Sequence, residues 1–253
     1  MITGKTPHHE RWARAAMRCF LEQTYPASHR ELLVVNDGDY RLAVEGEVPT
    51  DDAGRPLVRE VVLPQGEKKL GELRNVGIEE AWGDYIIQWD DDDWHGPTRI
   101  EYQAAPLEAD SDKVCTFLNR QLRYSFEYNS AKFFTSNRIH GTVMFRKTDI
   151  RYPAKGMAED TDLMFKYTSE FGSDSIVTLD VPHEECDKLY IRFHHGQNTW
   201  PSGHIMGLSA IIRGVWRIPD ETTARLQRVL KDFYSFEAKP GRDKDGERAA
   251  RFT

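Results

Sequence analysis

Four aspartates in succession, Asp90-Asp91-Asp92-Asp93, follow directly on the apolar run Tyr85-Ile86-Ile87-Gln88-Trp89. Adjacent carboxylates repel one another, so holding four together calls for a compensating cation. Hard oxygen donors suit Mg²⁺ or Mn²⁺ shared with a phosphate-bearing substrate. The competing reading is a solvated acidic turn, the usual state of a like-charged run. The β-branched and aromatic residues in front, set after Gly83, read instead as a short buried strand. Such a strand delivers the acids to the carboxyl end of a sheet, where open α/β folds bind ligands. A calcium-binding loop is excluded. Asp90, Asp92 and Glu101 fall at the first, third and twelfth positions, but Trp94 and His95 stand where a ligand and the obligatory glycine belong.

Other chemistry-bearing residues sit at the ends of predicted elements. Asp37 follows the run Leu32-Leu33-Val34-Val35-Asn36, and Glu159-Asp160 opens a helical pattern. Each has a plain alternative. Asp37-Gly38 suits a tight turn, Glu159, Asp160 and Asp162 suit the positive end of a helix dipole, and His194-His195 suits a surface pair beside a strand.

The elements that must position these residues alternate. Residues 1–5 read as the end of a first strand, and a helix runs from Glu10 to Thr24 on the spacing of Trp12, Ala15, Ala16, Cys19 and Phe20. Strands follow at 31–36 and 58–63, with an irregular loop between them. A helix carries Leu70, Leu73, Val76, Ile78 and Ala81, and after the acids Pro97 opens another to about Leu107. Further strands read at 114–118, 141–146, 175–179 and 188–193, wandering strands at 120–137, and helices from Ala158 and over 222–236. This order predicts an α/β fold with a mixed, mainly parallel central sheet and helices on both faces. Residues 237–253 are charged and contain glycine, and read as a flexible tail.

Composition narrows the class. With 253 residues, 39% hydrophobic and 30% charged, the chain suits one large α/β domain, or one domain with an appendage, with a substantial core. A net charge of −7 argues against a generally basic nucleic-acid surface. The three cysteines, Cys19, Cys115 and Cys186, are odd in number and far apart, which fits reduced thiols. No run has the length to span a bilayer and the opening residues lack the order of a signal peptide. The expected compartment is the cytoplasm.

Taken in register, the motifs resemble family 2 glycosyltransferases with the GT-A fold, a Rossmann-like nucleotide-binding architecture. The resemblance rests on Gln23-Thr24-Tyr25, Leu33-Val34-Val35-Asn36-Asp37-Gly38, Leu70-Gly71 with Arg74-Asn75-Val76-Gly77-Ile78, and Ala81-Trp82-Gly83-Asp84-Tyr85-Ile86. It continues through Asp90 to Asp93 and Ala158-Glu159-Asp160-Thr161-Asp162-Leu163, and covers roughly residues 1–200. There are departures. The first strand is short, Thr3-Gly4-Lys5 stands where such enzymes often carry Pro-Thr-Tyr-Asn, and Asn36 replaces a frequent aspartate.

The resemblance implies a domain over 1–236 that uses a nucleotide-sugar donor, with UDP the expected nucleotide, and Mn²⁺ or Mg²⁺. It implies that Asp37 and Thr3 contact the base or ribose, that Arg74 contacts the nucleotide, and that Asp90 and Asp91 lie at the donor. Asp92 is the expected metal ligand, His195 a second one, and Asp160 the base beside Glu159. The family also implies inversion at the anomeric carbon. Trp94 and Trp200 offer flat faces for a sugar. A nucleotidyltransferase and a non-catalytic nucleotide-sugar-binding module are the other readings. The acceptor is open, whether glycan, lipid-linked sugar, protein or nucleic acid. Arg120, Arg123, Lys132 and Arg138 lie among aromatics that suit either an acceptor groove for a polyanion or solvated loops.

Overall fold

The computed structural model describes residues 1–4, 9–38, 40–42, 48–127, 130–196, 198, 218–235, 241–242 and 248–249. In chain order the first elements are β1 (Ile2–Thr3), α1 (His9–Leu21), β2 (Leu32–Asn36), β3 (Val58–Val62), α2 (Leu70–Glu80), β4 (Tyr85–Ile87), β5 (Trp94–His95) and α3 (Arg99–Ala109). Then come β6 (Cys115–Leu118), β7 (Arg120–Ser125), β8 (Ser130–Thr135), β9 (Met144–Arg146), α4 (Glu159–Phe171) and β10 (Ile176–Leu179). The described elements end with α5 (Cys186–Leu189), β11 (Tyr190–His194), α6 (Asp220–Tyr234), β12 (Gly241–Arg242) and β13 (Arg248–Ala249).

The central sheet forms in two halves. On one side β1 and β3 flank β2, all parallel. On the other, β4 and β6 each run antiparallel to β9, and β6 runs parallel to β10. A parallel bridge from Ile2 to Asp90 joins the halves beside the acid run. The order is therefore β3-β2-β1-β4-β9-β6-β10, with β9 reversed. This is the mixed, mainly parallel sheet that the alternation of elements predicts.

Strands covered on both faces must be apolar throughout, and every residue of β2 is buried. One face packs on α1, α3 and α6 through Ala16, Phe20, Ile100 and Leu230. The other packs on α2 and α4 through Ile78, Leu163, Met164 and Tyr167. A second sheet, ordered β5-β11-β7-β8, stands beside the first. Its β7–β8 hairpin is the wandering segment of the sequence.

Three expectations are corrected. Residues 141–143 are not strand, because His140–Thr142 wind a short 3-10 turn in which the Thr142 hydroxyl donates to the Ile139 carbonyl and accepts from the Leu118 amide. Lys188 and Leu189 belong to α5, and β11 starts at Tyr190. The helix after Pro97 starts at Arg99 and tolerates Pro106 within it. The expectation of a flexible tail over 237–253 falls mostly outside the described residues.

Close backbone approach explains Gly71. A Cβ there would lie 2.0 Å from the carbonyl oxygen of Pro153, while the Gly71 amide donates to Lys155 O at 2.9 Å. A backbone oxygen held by its neighbours does not yield cheaply. Gly71→Ala is therefore expected to cost about 1–3 kcal/mol through overpacking, read as a lowered thermal midpoint.

Candidate active site

The acid run does not form one cluster. Its four side chains diverge, and each meets its own partner, so protein groups supply much of the compensation that the sequence suggested a cation must provide. Asp90 accepts from Arg74 Nη2 at 3.2 Å and from Gln88 Nε2 at 3.1 Å. Asp91 Oδ2 lies 3.1 Å from His9 Nδ1. Asp92 Oδ2 lies 3.1 Å from His195 Nε2 and accepts from Asn198 Nδ2 at 2.9 Å. Asp93 turns fully inward, where its carboxyl bonds the Tyr190 hydroxyl and accepts from the Phe193 amide at 2.9 Å.

These environments set different protonation. Burial pushes the Asp91 carboxyl up, against the opposing hydrogen bond with His9. Burial works in the same sense on Asp92, yet the hydrogen bond and charge of His195 outweigh it and hold the group below the usual carboxylate range. Asp93 is raised well above that range by burial and by the neighbouring Asp92. Asp93 is thus a tie between the acid run and β11. Asparagine can still accept from the Phe193 amide and can donate its amide N–H to the Tyr190 hydroxyl oxygen, so Asp93→Asn is expected to fold normally and retain turnover within about tenfold. Asp93→Leu, which strands the Tyr190 hydroxyl and the Phe193 amide, is expected to cost roughly 2–4 kcal/mol in chemical denaturation.

The main chain of the run is fixed from behind. His95 Nε2 donates to the Asp90 carbonyl at 2.9 Å, and the fully buried Arg99 bonds His95 Nδ1 while donating to Gln88 O at 3.0 Å and Gln103 Oε1 at 3.1 Å. Burial, then the Arg99 charge, pushes the His95 imidazole far down, so it is neutral. The proton sits on Nε2, since Nδ1 accepts from the guanidinium.

Beside the run lies the turn after β2. Asn36 Nδ2 donates to Glu60 Oε1 at 2.7 Å and to the Tyr40 carbonyl at 2.6 Å, while its Oδ1 accepts from the Gly38 amide at 2.8 Å. An aspartate could make only the last of these and would face the Glu60 carboxylate, which accounts for the amide here. Gly4, at φ +123°, packs so near Gly38 that a Cβ on it would lie 2.3 Å from the Gly38 nitrogen. The Asp37 amide donates to Thr3 O at 3.1 Å, and Thr3 Oγ1 is 2.5 Å from the Tyr40 hydroxyl. Asp37 itself is buried, and its Oδ1 has no hydrogen-bond partner among the described residues.

Arg74, projecting from α2, joins the acid run to α4. Its Nε donates to Glu159 Oε1 at 3.0 Å while Nη2 reaches Asp90. Burial disfavours its charge, but Asp90, Glu159 and Asp160 more than restore it. Glu159 is raised by burial against the pull of Arg74. Asp160 is half-buried, and its Oδ1 accepts from the Thr161 amide at 2.7 Å. The Thr161 hydroxyl in turn lies 2.8 Å from His140 Nδ1. Ala158, the residue before this pair, takes a left-handed φ of 58°.

The residues expected from the sequence fall into three groups: Asp37 and Thr3 at the turn after β2, Arg74 joining Asp90 to Glu159 at the start of α4 beside Asp160, and Asp92 facing His195, with Asp91 on His9. Sequence reading missed His9, Gln88, Arg99 and Asn198. Only Asn198 carried a signal, standing three residues after His195. Trp94 is no sugar platform. It is buried in the core at 6% exposure, edge-on to Phe233. Trp200 lies outside the described residues. Arg123 and Lys132 are buried in the hairpin, with the Arg123 guanidinium 3.3 Å from the Phe134 ring centre, so they do not line solvated loops.

The donor set fits a divalent ion only in part. Asp92 offers an ionised carboxylate and His195 an imidazole nitrogen, a pair that suits Mn²⁺ better than Mg²⁺. Among the described residues no group of three or more His, Cys, Asp or Glu converges. A full shell would need oxygens from the substrate.

Comparison with known proteins bears on the family and the fold. The family model of glycosyl transferase family 2 matches residues 8–168. Two Bacillus subtilis (strain 168) proteins named as glycosyltransferases are similar: EpsH is 24% identical over 198 residues, covering 68% of this chain and 56% of its own. The uncharacterized YwdF is 27% identical over 169 residues, covering 66% of this chain and 49% of its own. The chain thus spans about half the length of these curated relatives. Among solved structures, S. aureus TarS 1-349 in complex with UDP superposes with a TM-score of 0.55 at 17% identity, over 93% of this chain and 70% of that one. The same TarS fragment in complex with UDP-GlcNAc gives 0.54 at 15% identity, over 93% and 72%. The fold is GT-A, and the chain belongs to glycosyl transferase family 2.

Proposed function

We propose that the chain is a metal-dependent, inverting glycosyltransferase that moves a sugar from a nucleoside diphosphate sugar, with UDP as the nucleotide, to an acceptor hydroxyl. The observation that carries this reading is the Arg74 clasp. Arg74 bridges Asp90 of the acid run and Glu159 at the start of α4, which supports reading the donor end and the proton-accepting end as parts of one site.

Asp37 offers the base or ribose a buried carboxylate oxygen that has no partner among the described residues, and Thr3 stands beside it. Arg74, paired with Asp90 and Glu159, positions those acids at the nucleotide's side of the site. Asp92 and His195 would hold the metal, which when bound stabilises negative charge on the departing diphosphate as a Lewis acid. Asp160 takes the proton of the attacking hydroxyl, a role that requires reach as well as basicity. Glu159, engaged by Arg74, keeps that helix end in place. UDP is favoured because the TarS fragment was solved with UDP and with UDP-GlcNAc. A cytoplasmic location and a domain boundary near residue 236 belong to the same proposal. Three free, buried thiols support the first, and among the described residues no helix is long and apolar enough to cross a membrane.

A thermal-shift screen of nucleotide sugars with Mn²⁺ tests the donor. At a hundredfold excess over Kd a ligand adds about 2.7 kcal/mol, so a UDP-sugar should raise the midpoint by roughly 5–10 °C. Product analysis tests the reaction. Free nucleoside diphosphate is expected, pyrophosphate would indicate nucleotidyl transfer, and binding without turnover on any acceptor would indicate a non-catalytic module.

A further inference from the structure

Asp160 sits in a helix start that lacks an ordinary cap. The N-cap of α4 is Ala158, whose methyl side chain accepts nothing, so no capping bond from that position fixes the first turn. Asp160 closes one of the orphan amides itself, its Oδ1 accepting from Thr161 N at 2.7 Å. A bond made within two adjacent residues orients a carboxylate only loosely. A second contact reaches it from outside the helix. The Thr161 hydroxyl lies 3.4 Å from the same Oδ1 and 2.8 Å from Nδ1 of His140.

His140 stands on a fixed support. It opens the 3-10 turn whose Thr142 hydroxyl is tied to the Ile139 carbonyl and the Leu118 amide, and its ring lies edge-on to the buried Phe117, with ring centres 6.0 Å apart. The next residue passes beside the acid run. A Cβ on Gly141 would lie 3.7 Å from Asp90 Oδ2 and 3.7 Å from Gln88 Nε2. The turn therefore touches both the acid run and the first turn of α4, by a route separate from Arg74.

Burial pushes the His140 imidazole down; Asp160 pulls it up and Arg138 pushes it down again, and the balance stays low. The ring is thus neutral at neutral pH and carries a single proton. Where that proton sits decides what Thr161 does. If Nδ1 accepted, the one hydroxyl proton would be used on His140, and Thr161 Oγ1 would face the Asp160 oxygen lone pair to lone pair. With the proton on Nδ1, His140 donates to Thr161 and Thr161 donates on to Asp160, so both contacts are hydrogen bonds that polarise each other.

We propose that His140, acting through the Thr161 hydroxyl, is the positioning residue for Asp160: it aims the hydroxyl proton at Oδ1, so that Oδ1 is held by two donors and Oδ2 is the oxygen that receives a proton. This role rests on the reading of Asp160 as the base. His140 and Thr161 touch neither donor nor acceptor in it. A catalytic group displaced by 1 Å loses about 10²-fold in rate, so the effect falls on the chemical step and not on capture of the donor.

The first arm of the test needs no substrate. A free imidazole prefers its proton on Nε2, and a hydrogen bond decides otherwise. Nitrogen-15 NMR of the histidine-labelled protein is expected to find the His140 proton on Nδ1, and to find it moved to Nε2 in Thr161→Val. An Nε2 proton in the unaltered protein would overturn the proposal. The second arm follows UDP release from UDP-sugars with Mn²⁺. His140→Leu and Thr161→Val are each expected to lower kcat by about 10–100-fold with the donor KM within about threefold, and the double variant to be no slower than the worse single one. Thr161→Ser, which keeps the hydroxyl, is expected to restore turnover. Thr161→Val keeps the side-chain shape, so it carries this arm if His140→Leu fails to fold. Undiminished kcat in folded Thr161→Val, or losses that multiply in the double variant, would overturn the proposal. Asp160→Asn is run beside them. If it turns over normally, the base reading falls and the positioning role with it; if it is slow while His140→Leu and Thr161→Val are not, the positioning role alone fails.

Discussion

Asp92→Asn is expected to abolish sugar transfer, lowering turnover by at least about 10³-fold, in a protein that folds as before. A metal acting as a Lewis acid contributes several kcal/mol to a transition state of this kind, and each 1.36 kcal/mol is tenfold in rate. Asp92 is the member of the run whose environment favours charge, because His195 holds its carboxyl below the usual range. It therefore stays ionised throughout the neutral range, as a ligand must. The amide keeps the size and can still bond His195 and Asn198, so loss of fold is not expected. Transfer assays across Mn²⁺ concentrations, with circular dichroism to confirm folding, make the check. Undiminished turnover in the folded variant would remove Asp92 from the metal site.

Asp160→Asn is expected to reduce turnover by about 10²–10⁴-fold, the usual contribution of a positioned general base, while leaving donor affinity within about threefold. The asparagine oxygen can still accept from the Thr161 amide, and Arg74 reaches Asp90 and Glu159 without it. The helix start and the clasp are thus preserved while the proton acceptor is lost. Calorimetry with UDP-sugar and Mn²⁺, set beside single-turnover rates, separates the two effects. The assignment would be falsified if donor affinity collapsed while the chemical step ran at its normal rate.

Much of this site was legible in the sequence because strand ends announce themselves. Apolar runs closing on Asp37 and on Asp90 located two sheet edges, and the acidic opening of α4 located the third part of the site. What stayed hidden was the direction of each carboxylate. Periodicity places a residue at the end of a strand but does not say whether its side chain turns to solvent, to a neighbour or into the core. Asp93 read only as one more acid of the run and is a buried tie. Trp94 looked like a sugar platform and is core, because its two-residue strand β5 is too short to leave a pattern. His9 lies in a stretch without periodic signal, and only the fold brings it 3.1 Å from Asp91. Lys188 and Leu189 misled for a related reason, since one turn of helix feeding a strand has no period of its own.

The relay from Arg99 through His95 to the Asp90 carbonyl bears on how the donor is received. Because that turn is set by groups wholly interior to the protein, its shape exists before any nucleotide arrives. Binding then need not order this segment, and the conformational entropy that a floppy acidic turn would lose on capture is already lost on folding. On the proposed reading, a nucleotide would then enter a preorganised seat at this edge.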